Sequence, residues 1–299
     1  MQPTDLPRGV TGAAAASPAG GTLRPVVRTV RGTPTSDGAG VKLTRVIGGQ
    51  ALPDLDPFLL FDEFRSDRAG DYIAGFPDHP HRGFETVTYM LAGRMRHRDN
   101  QGNSGLLTAG SVQWMTAGRG IVHSEMPEQE DGLMWGFQLW VNLPARDKLT
   151  APRYQDIEPA RVPTLRVAPG VAVRLLAGEF GGQSGPVAGI TGTQPLYADL
   201  QLETGARAEL PVPATHNAFA YVYEGAARIG GSAKATARGE LAQLGAGDRV
   251  LVEADGGRAR LVLVAGRPLG EPVARYGPFV MNTREEIMQA FADFQAGRF

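Results

Sequence analysis

Five histidines occur in the 299-residue chain, and three of them fall into a pattern able to hold a metal. His79 and His81 alternate within Pro77-Asp78-His79-Pro80-His81-Arg82-Gly83-Phe84-Glu85, and farther along His123 and Glu125 alternate within Gly120-Ile121-Val122-His123-Ser124-Glu125. In an extended strand successive side chains point to opposite faces, so residues two apart share a face. Two neighbouring strands of a small barrel would aim all four side chains at one point. That set, three imidazoles and a carboxylate, suits Fe, Mn, Co, Ni, Cu or Zn, and spacing does not choose among them. Four protein ligands also leave one or two positions of an octahedral ion open for a substrate or dioxygen. A lone strand histidine is more often a hydrogen-bonded, half-buried residue than a ligand; two alternating pairs are harder to dismiss.

The bulk numbers exclude other chemistries. There is no cysteine, which removes thiolate ligands, a cysteine nucleophile and any disulfide framework. Formal net charge is -1 with no long basic run, which argues against a phosphate-tracking nucleic-acid surface. No window approaches the roughly 18 apolar residues of a membrane-spanning helix. Ala13–Ala16 is too short for the apolar stretch of a secretory signal. A cytoplasmic protein with no membrane or direct nucleic-acid partner is expected.

The elements that must position the donors read as strands. Residues 1–40 are rich in Ala, Gly, Pro, Thr and Ser; this composition predicts a mobile segment with at most a short strand at Val26–Val30. From Val41 short apolar and alternating runs follow one another: Val41–Ile47, Pro57–Phe64, Glu85–Leu91, Arg94–Asp99, Ser111–Met115 and Leu133–Val141. Turn signals such as Ala92-Gly93 and Ala117-Gly118-Arg119-Gly120 separate them. Many short strands without an intervening helical pattern predict an antiparallel barrel or jelly roll over 41–150. A Pro-rich, charged connector is expected over 151–165, and the strand rhythm resumes over 166–282. Tyr221-Val222-Tyr223-Glu224-Gly225 echoes Thr88-Tyr89-Met90-Leu91-Ala92-Gly93, which suggests two copies of one barrel. Over 283–299, Thr283-Arg284-Glu285-Glu286 is a capping box, and Ile287, Ala290, Phe291 and Phe294 recur at helical spacing. The fold class expected is therefore all-β, two tandem barrels with a C-terminal α-helix.

Four separated motifs, in order, carry a resemblance. Asp56–Phe64, His79–Val87, Gln113–Glu125 and Gly277–Asn282 resemble the pirin family, two-domain proteins of the cupin superfamily. The resemblance runs from about Val41 to the C-terminus. It implies a bicupin with one metal, usually iron, in the N-terminal barrel, held by His79, His81, His123 and Glu125. It also implies a quercetin 2,3-dioxygenase-like activity, opening a flavonol or related small aromatic enol with O2. The alternative it carries is a non-catalytic iron-binding regulator that binds a protein partner in a redox-dependent way. Cupins often take a ligand from a glutamate soon after the paired histidines, here Glu85; with four donors already in hand, Glu85 is expected to be structural.

On the enzyme reading Glu125 both holds the metal and takes the proton of the flavonol 3-hydroxyl. Phe76, Met95 and Gln138 are candidate pocket walls. Gln138 and Trp140 share a face opposite Phe137 and Leu139. His97, between Arg96 and Arg98, is expected at an exposed, charged strand end with a structural role. His216 has no second histidine two residues on and no His-x-Glu downstream, so the second barrel is expected to be metal-free.

Overall fold

The computed structural model describes residues 21–190 and 192–299. Residues 1–20, half of the N-terminal segment expected to be mobile, lie outside them. The first part of the chain forms β1 (Val26–Arg31), β2 (Thr33–Asp37), β3 (Val41–Ile47), β4 (Phe58–Ser66), β5 (Phe76–His81), β6 (Phe84–Ala92), β7 (Met95–Asp99), β8 (Ser104–Leu107), β9 (Val112–Thr116), β10 (Ile121–Pro127), β11 (Met134–Asn142) and β12 (Arg153–Ile157). Their order in space is a seven-stranded sheet, β12-β9-β6-β11-β4-β3-β2, facing a four-stranded sheet, β5-β10-β7-β8. All these pairings are antiparallel. The alternation that makes the strands also makes the core: on β3, Val41 and Leu43 are buried and Lys42 between them is exposed.

The second barrel repeats the plan. Its seven-stranded sheet runs β1, Glu240–Leu244, Asn217–Glu224, Ala259–Gly266, Leu196–Leu202, Val171–Ala177, Thr164–Ala168. Its four-stranded sheet runs Arg207–Pro211, Arg249–Ala254, Ala226–Ile229, Thr236–Ala237.

Two stretches differ from the sequence expectation. Residues 26–37 are strands: β1 pairs antiparallel with Glu240–Leu244 of the second barrel, and β2 with β3 of the first. Long-range pairing orders β1 and a local hairpin with β3 orders β2, which this stretch's weak composition would not do alone. The connector over 151–165 contains β12, which pairs with β9 and completes the first barrel's large sheet.

The two large sheets pack on each other through one shared hydrophobic cluster. Phe58, Phe61, Tyr89, Trp135 and Phe137 of the first barrel meet Tyr197, Phe219, Tyr221, Tyr223, Val262 and Val264 of the second. Two buried carboxylates lie in this seam, and each takes donors from both barrels. Asp199 accepts from Tyr89 Oη at 2.7 Å and from Tyr223 Oη. Glu63 accepts from Trp135 Nε1 at 2.8 Å and from Tyr221 Oη. Paired in this way, neither charge is left unsatisfied in the apolar interface.

The C-terminal helix α1 (Arg284–Gln295) begins with the expected capping box: Thr283 Oγ1 accepts from the Glu286 amide, and Glu286 Oε2 accepts from the Thr283 amide. Ile287 and Ala290 are buried against Phe279 and Met281 of the preceding strand, with Phe291 half-buried beside them.

Candidate metal centre

Strands β5 and β10 are neighbours, and their register sets His123 directly opposite His79. His81, two residues on, opposes Ile121. The three imidazoles form a tight group, with ring centroids 4.7 Å (His79–His81), 4.4 Å (His79–His123) and 5.1 Å (His81–His123) apart. One ring nitrogen from each lies within 4.8 Å of the others. His81 and His123 are buried, at 3% and 0% exposure, while His79 is half-exposed.

The hydrogen bonds around these rings are as informative as their proximity. His79 Nδ1 lies 2.8 Å from the Pro77 carbonyl, a contact only a protonated Nδ1 can make; in the neutral ring that proton leaves Nε2 as the lone-pair nitrogen. His79 Nε2 faces His81 Nε2 at 3.0 Å. His123 is fully buried with neither ring nitrogen hydrogen-bonded, and His81 Nδ1 also lacks a partner. Burial first, and then the neighbouring rings, push the pKa of both His81 and His123 well down. Both are neutral at pH 7, the form that binds metal.

These residues fit a divalent transition ion. Metal–imidazole bonds of about 2.1 Å put two donors at a right angle about 3.0 Å apart, which matches the His79–His81 spacing. An ion would also satisfy buried nitrogens that otherwise carry a desolvation cost.

Glu125 stands apart from that group. A register shift after His123 sets it opposite Phe76 on one side, while His97 is its partner on the other. Its carboxylate is buried at 4% exposure, and Oε1 accepts a hydrogen bond from Thr88 Oγ1 at 3.0 Å. Burial raises its pKa, against the pull of His79 and the Thr88 bond. Thr88 Oγ1 is also 2.6 Å from the Gln138 side-chain oxygen. One hydroxyl proton cannot serve both acceptors, so turning the Gln138 amide gives the consistent chain: amide N–H to Thr88 Oγ1, and Thr88 O–H to Glu125.

The other sequence candidates separate. Gln138 is joined to Glu125 through Thr88, as described. Phe76 and Met95 belong to an apolar cluster with Val41, Leu43, Phe64, Tyr72, Met90 and Met134. Trp140, on the same face as Gln138, packs on Phe84 at 4.4 Å and meets the His81 ring edge-on at 5.2 Å. Glu85 shares the opposite face of β6 with Val87 and Tyr89, away from the histidines. Its Oε1 accepts from Thr116 Oγ1 at 2.7 Å, and burial pushes its pKa up to about 7.

His97 is not at an exposed strand end. It is 1% exposed and stacks on Tyr154 at 5.3 Å, with Nε2 2.8 Å from Asp156 Oδ2. Burial works against the charge of Asp156, but the bonds from His97 and Gln113 outweigh it and hold its pKa low. This pair lines an open cleft of about 630 Å³ with Asn103, Ser104 and Arg153. The cleft does not include the three histidines. His216 is tied to the Gln194 carbonyl at 2.8 Å and belongs to no histidine group among the described residues.

Thr88 and Asp156 were not singled out from sequence. Alternation along β6 puts Thr88 on the face of Phe84 and Thr86, a signal available for Thr88. Asp156 had none, because the strand bearing it read as a connector.

Residues 40–141 match the pirin domain and residues 197–299 the pirin C-terminal cupin domain. The chain is 54% identical to a pirin-like protein of Caulobacter vibrioides, over 93% of its own length and 99% of the relative's. The chain belongs to the pirin family. This pirin is also 45% identical to the pirin of Homo sapiens, across 92% of the chain and 93% of that protein. Among solved structures it is similar to quercetin 2,3-dioxygenase from Acinetobacter baumannii, with TM-score 0.85 and 32% identity over 93% of this chain and 99% of that one. Its two barrels are thus the bicupin pair that the strand pattern and the motifs predict. No helix among the described residues is long and apolar enough to cross a membrane.

Proposed function

We propose that this pirin is a metal-dependent dioxygenase of the quercetin 2,3-dioxygenase type. It would open the ring of a flavonol or related aromatic enol with O2, with His79, His81, His123 and Glu125 holding one Fe(II). The observation that carries the reading is the cluster of three imidazoles, in which both nitrogens of the buried His123 lack any hydrogen-bond partner. Similarity to the Acinetobacter quercetin 2,3-dioxygenase structure supports the reaction class.

When bound, the ion supplies a Lewis acid and a redox partner for dioxygen. The chain's own residues supply the rest. Glu125 takes the proton of the substrate 3-hydroxyl onto a carboxylate oxygen. The product of that step is an electron-rich enolate. Thr88 occupies Oε1, so Oε2 is the oxygen left either to hold the ion or to accept the proton, while Gln138 fixes the Thr88 rotor. Trp140, backed by the buried Phe84, offers a flat apolar face beside His81, suited to a planar aromatic substrate, and Phe76 closes the wall near Glu125.

The test is quercetin consumption in air by anaerobically prepared, Fe(II)-loaded protein. Loss of flavonol absorbance matched by oxygen uptake, and slowed about 100-fold or more in Glu125→Gln, is the expected result. Metal-loaded protein that leaves quercetin intact contradicts the reaction. Undiminished turnover in Glu125→Gln contradicts the role of the base.

A further inference from the structure

Arg82 follows His81 directly, yet its side chain points away from the histidines and is 6% exposed. Its Nε donates to the carbonyl of Arg119, on the loop that leads into β10 and His123. Its Nη1 donates to Asp293 Oδ2 of α1 at 2.7 Å, and its guanidinium lies 4.4 Å over the ring of Phe299. The backbone is held as well: Val280 N donates to the Arg82 carbonyl at 3.0 Å, in a parallel bridge between Arg82 and Phe279.

The surroundings leave no slack. A Cβ on Gly83 would lie 1.9 Å from the Val280 carbonyl oxygen, and one on Gly120 would lie 2.6 Å from the Phe299 ring. Both glycines have positive φ. Lys148, 1% exposed, donates to the Gly83 carbonyl at 2.8 Å and the Val280 carbonyl at 3.1 Å. The segment that carries His81 and the one that leads to His123 are thus fastened to each other, and to the C-terminal segment, at one guanidinium.

We infer that Arg82 is a positioning residue through which α1 sets the spacing of the histidine-bearing segments, and so the affinity of the site for a divalent transition metal. The inference rests on the metal reading proposed above. An arginine suits this role because its planar fork holds a carbonyl and a carboxylate in fixed directions, which lysine does not. Asp293 divides its two oxygens between two arginines. Oδ2 serves Arg82, and Oδ1 serves Arg298 at 2.6 Å. Removing Arg298 therefore loosens the helix end without touching the link to the metal segment.

The test is Co(II) titration of metal-stripped full-length protein against a chromophoric chelator, with the visible Co(II) bands recorded, for wild type, Arg82→Gln, Asp293→Asn and Arg298→Gln. Residues that hold metal ligands in place typically contribute about 10- to 100-fold to metal affinity. Affinity should fall about tenfold or more in Arg82→Gln, and in the same direction in Asp293→Asn, with altered Co(II) bands. Arg298→Gln should stay within about twofold of wild type. Should Arg82→Gln fail to fold, Asp293→Asn decides, since it keeps the shape of the side chain and removes the charge that holds Arg82, with Arg298→Gln as the control for the other oxygen. A purely structural role lowers thermal stability in all three variants and leaves affinity and bands unchanged, and that result overturns the inference alone. Wild type that takes up no Co(II) overturns the metal reading and this inference with it.

Discussion

The two barrels share one strand plan and fill it with opposite chemistry. In the first, the strands β5, β10 and β7 carry His79, His81, His123, Glu125 and His97. In the second, the matching strands bury Ala208, Leu210, Val250, Val252, Ala254, Ala227 and Ile229 in one hydrocarbon cluster. Hydrocarbon side chains stabilise a barrel simply by leaving water. Buried imidazoles and a carboxylate cost desolvation unless something pairs them. The second barrel's small sheet is thus packed with hydrocarbon, and the first accepts a locally expensive interior that an ion could satisfy. The seam makes the division workable, because Asp199 and Glu63 tie both barrels together through donors from each side.

The difference can be broken from the supporting side. Leu210 is 1% exposed in the second barrel's core. Leu210→Ala should lower the unfolding free energy by about 2–5 kcal/mol, measured by urea denaturation. The number of metal ions bound per folded chain should not change. A loss of metal in the folded variant would show that the second barrel shapes the site directly.

At Glu85 the comparison is sharpened by pH. Its carboxyl is pushed from 4.5 up to about 7 by burial. In the unfolded chain it releases its proton near 4.5, but in the folded protein only near 7. Between these values the native state holds more protons, so its contribution, full below pH 4.5, is lost as pH rises to 7. Glu85→Gln removes this slope. Relative to wild type, the variant should gain up to roughly 3 kcal/mol on going from pH 4.5 to 7.5, by denaturant titration at each pH. A gap that does not change with pH contradicts the buried, protonated carboxyl.

A smaller effect is expected at the seam. Asp199→Asn keeps the shape but weakens two tyrosine hydrogen bonds, with an expected cost of about 1–3 kcal/mol. Both barrels should still unfold in one transition, by near-ultraviolet dichroism and tryptophan fluorescence together. Two separated transitions would show that the carboxylate, more than the apolar cluster, couples them.

Which parts of this were legible in the sequence follows from the range of the interactions involved. The three histidines could be brought together because strand alternation is local, and the repeated Tyr-x-Tyr-Glu-Gly and Thr-Tyr-Met-Leu-Ala-Gly runs marked the second barrel. The capping box at Thr283 was equally local. His97 was misplaced because Arg96, Arg98 and Asp99 coloured the whole stretch as charged, although Arg96 and Arg98 lie on the opposite face of β7 from it. The short strand at Val26–Val30 was legible as β1, but its pairing was hidden because its partner, Glu240–Leu244, lies far along the chain, and composition over 1–40 carries no trace of it. Glu125 matched the family motif, but the register shift that turns it toward Phe76 and Thr88 is a property of the paired strands.

The central claim is that His79, His81 and His123 converge on one ion in the first barrel. Elemental analysis of wild type and His123→Ala, both purified without added metal, tests it most directly. The account predicts close to one equivalent of a transition metal per wild-type chain and its loss in a folded His123→Ala. Wild type without metal, or a variant that retains its full equivalent, would contradict it.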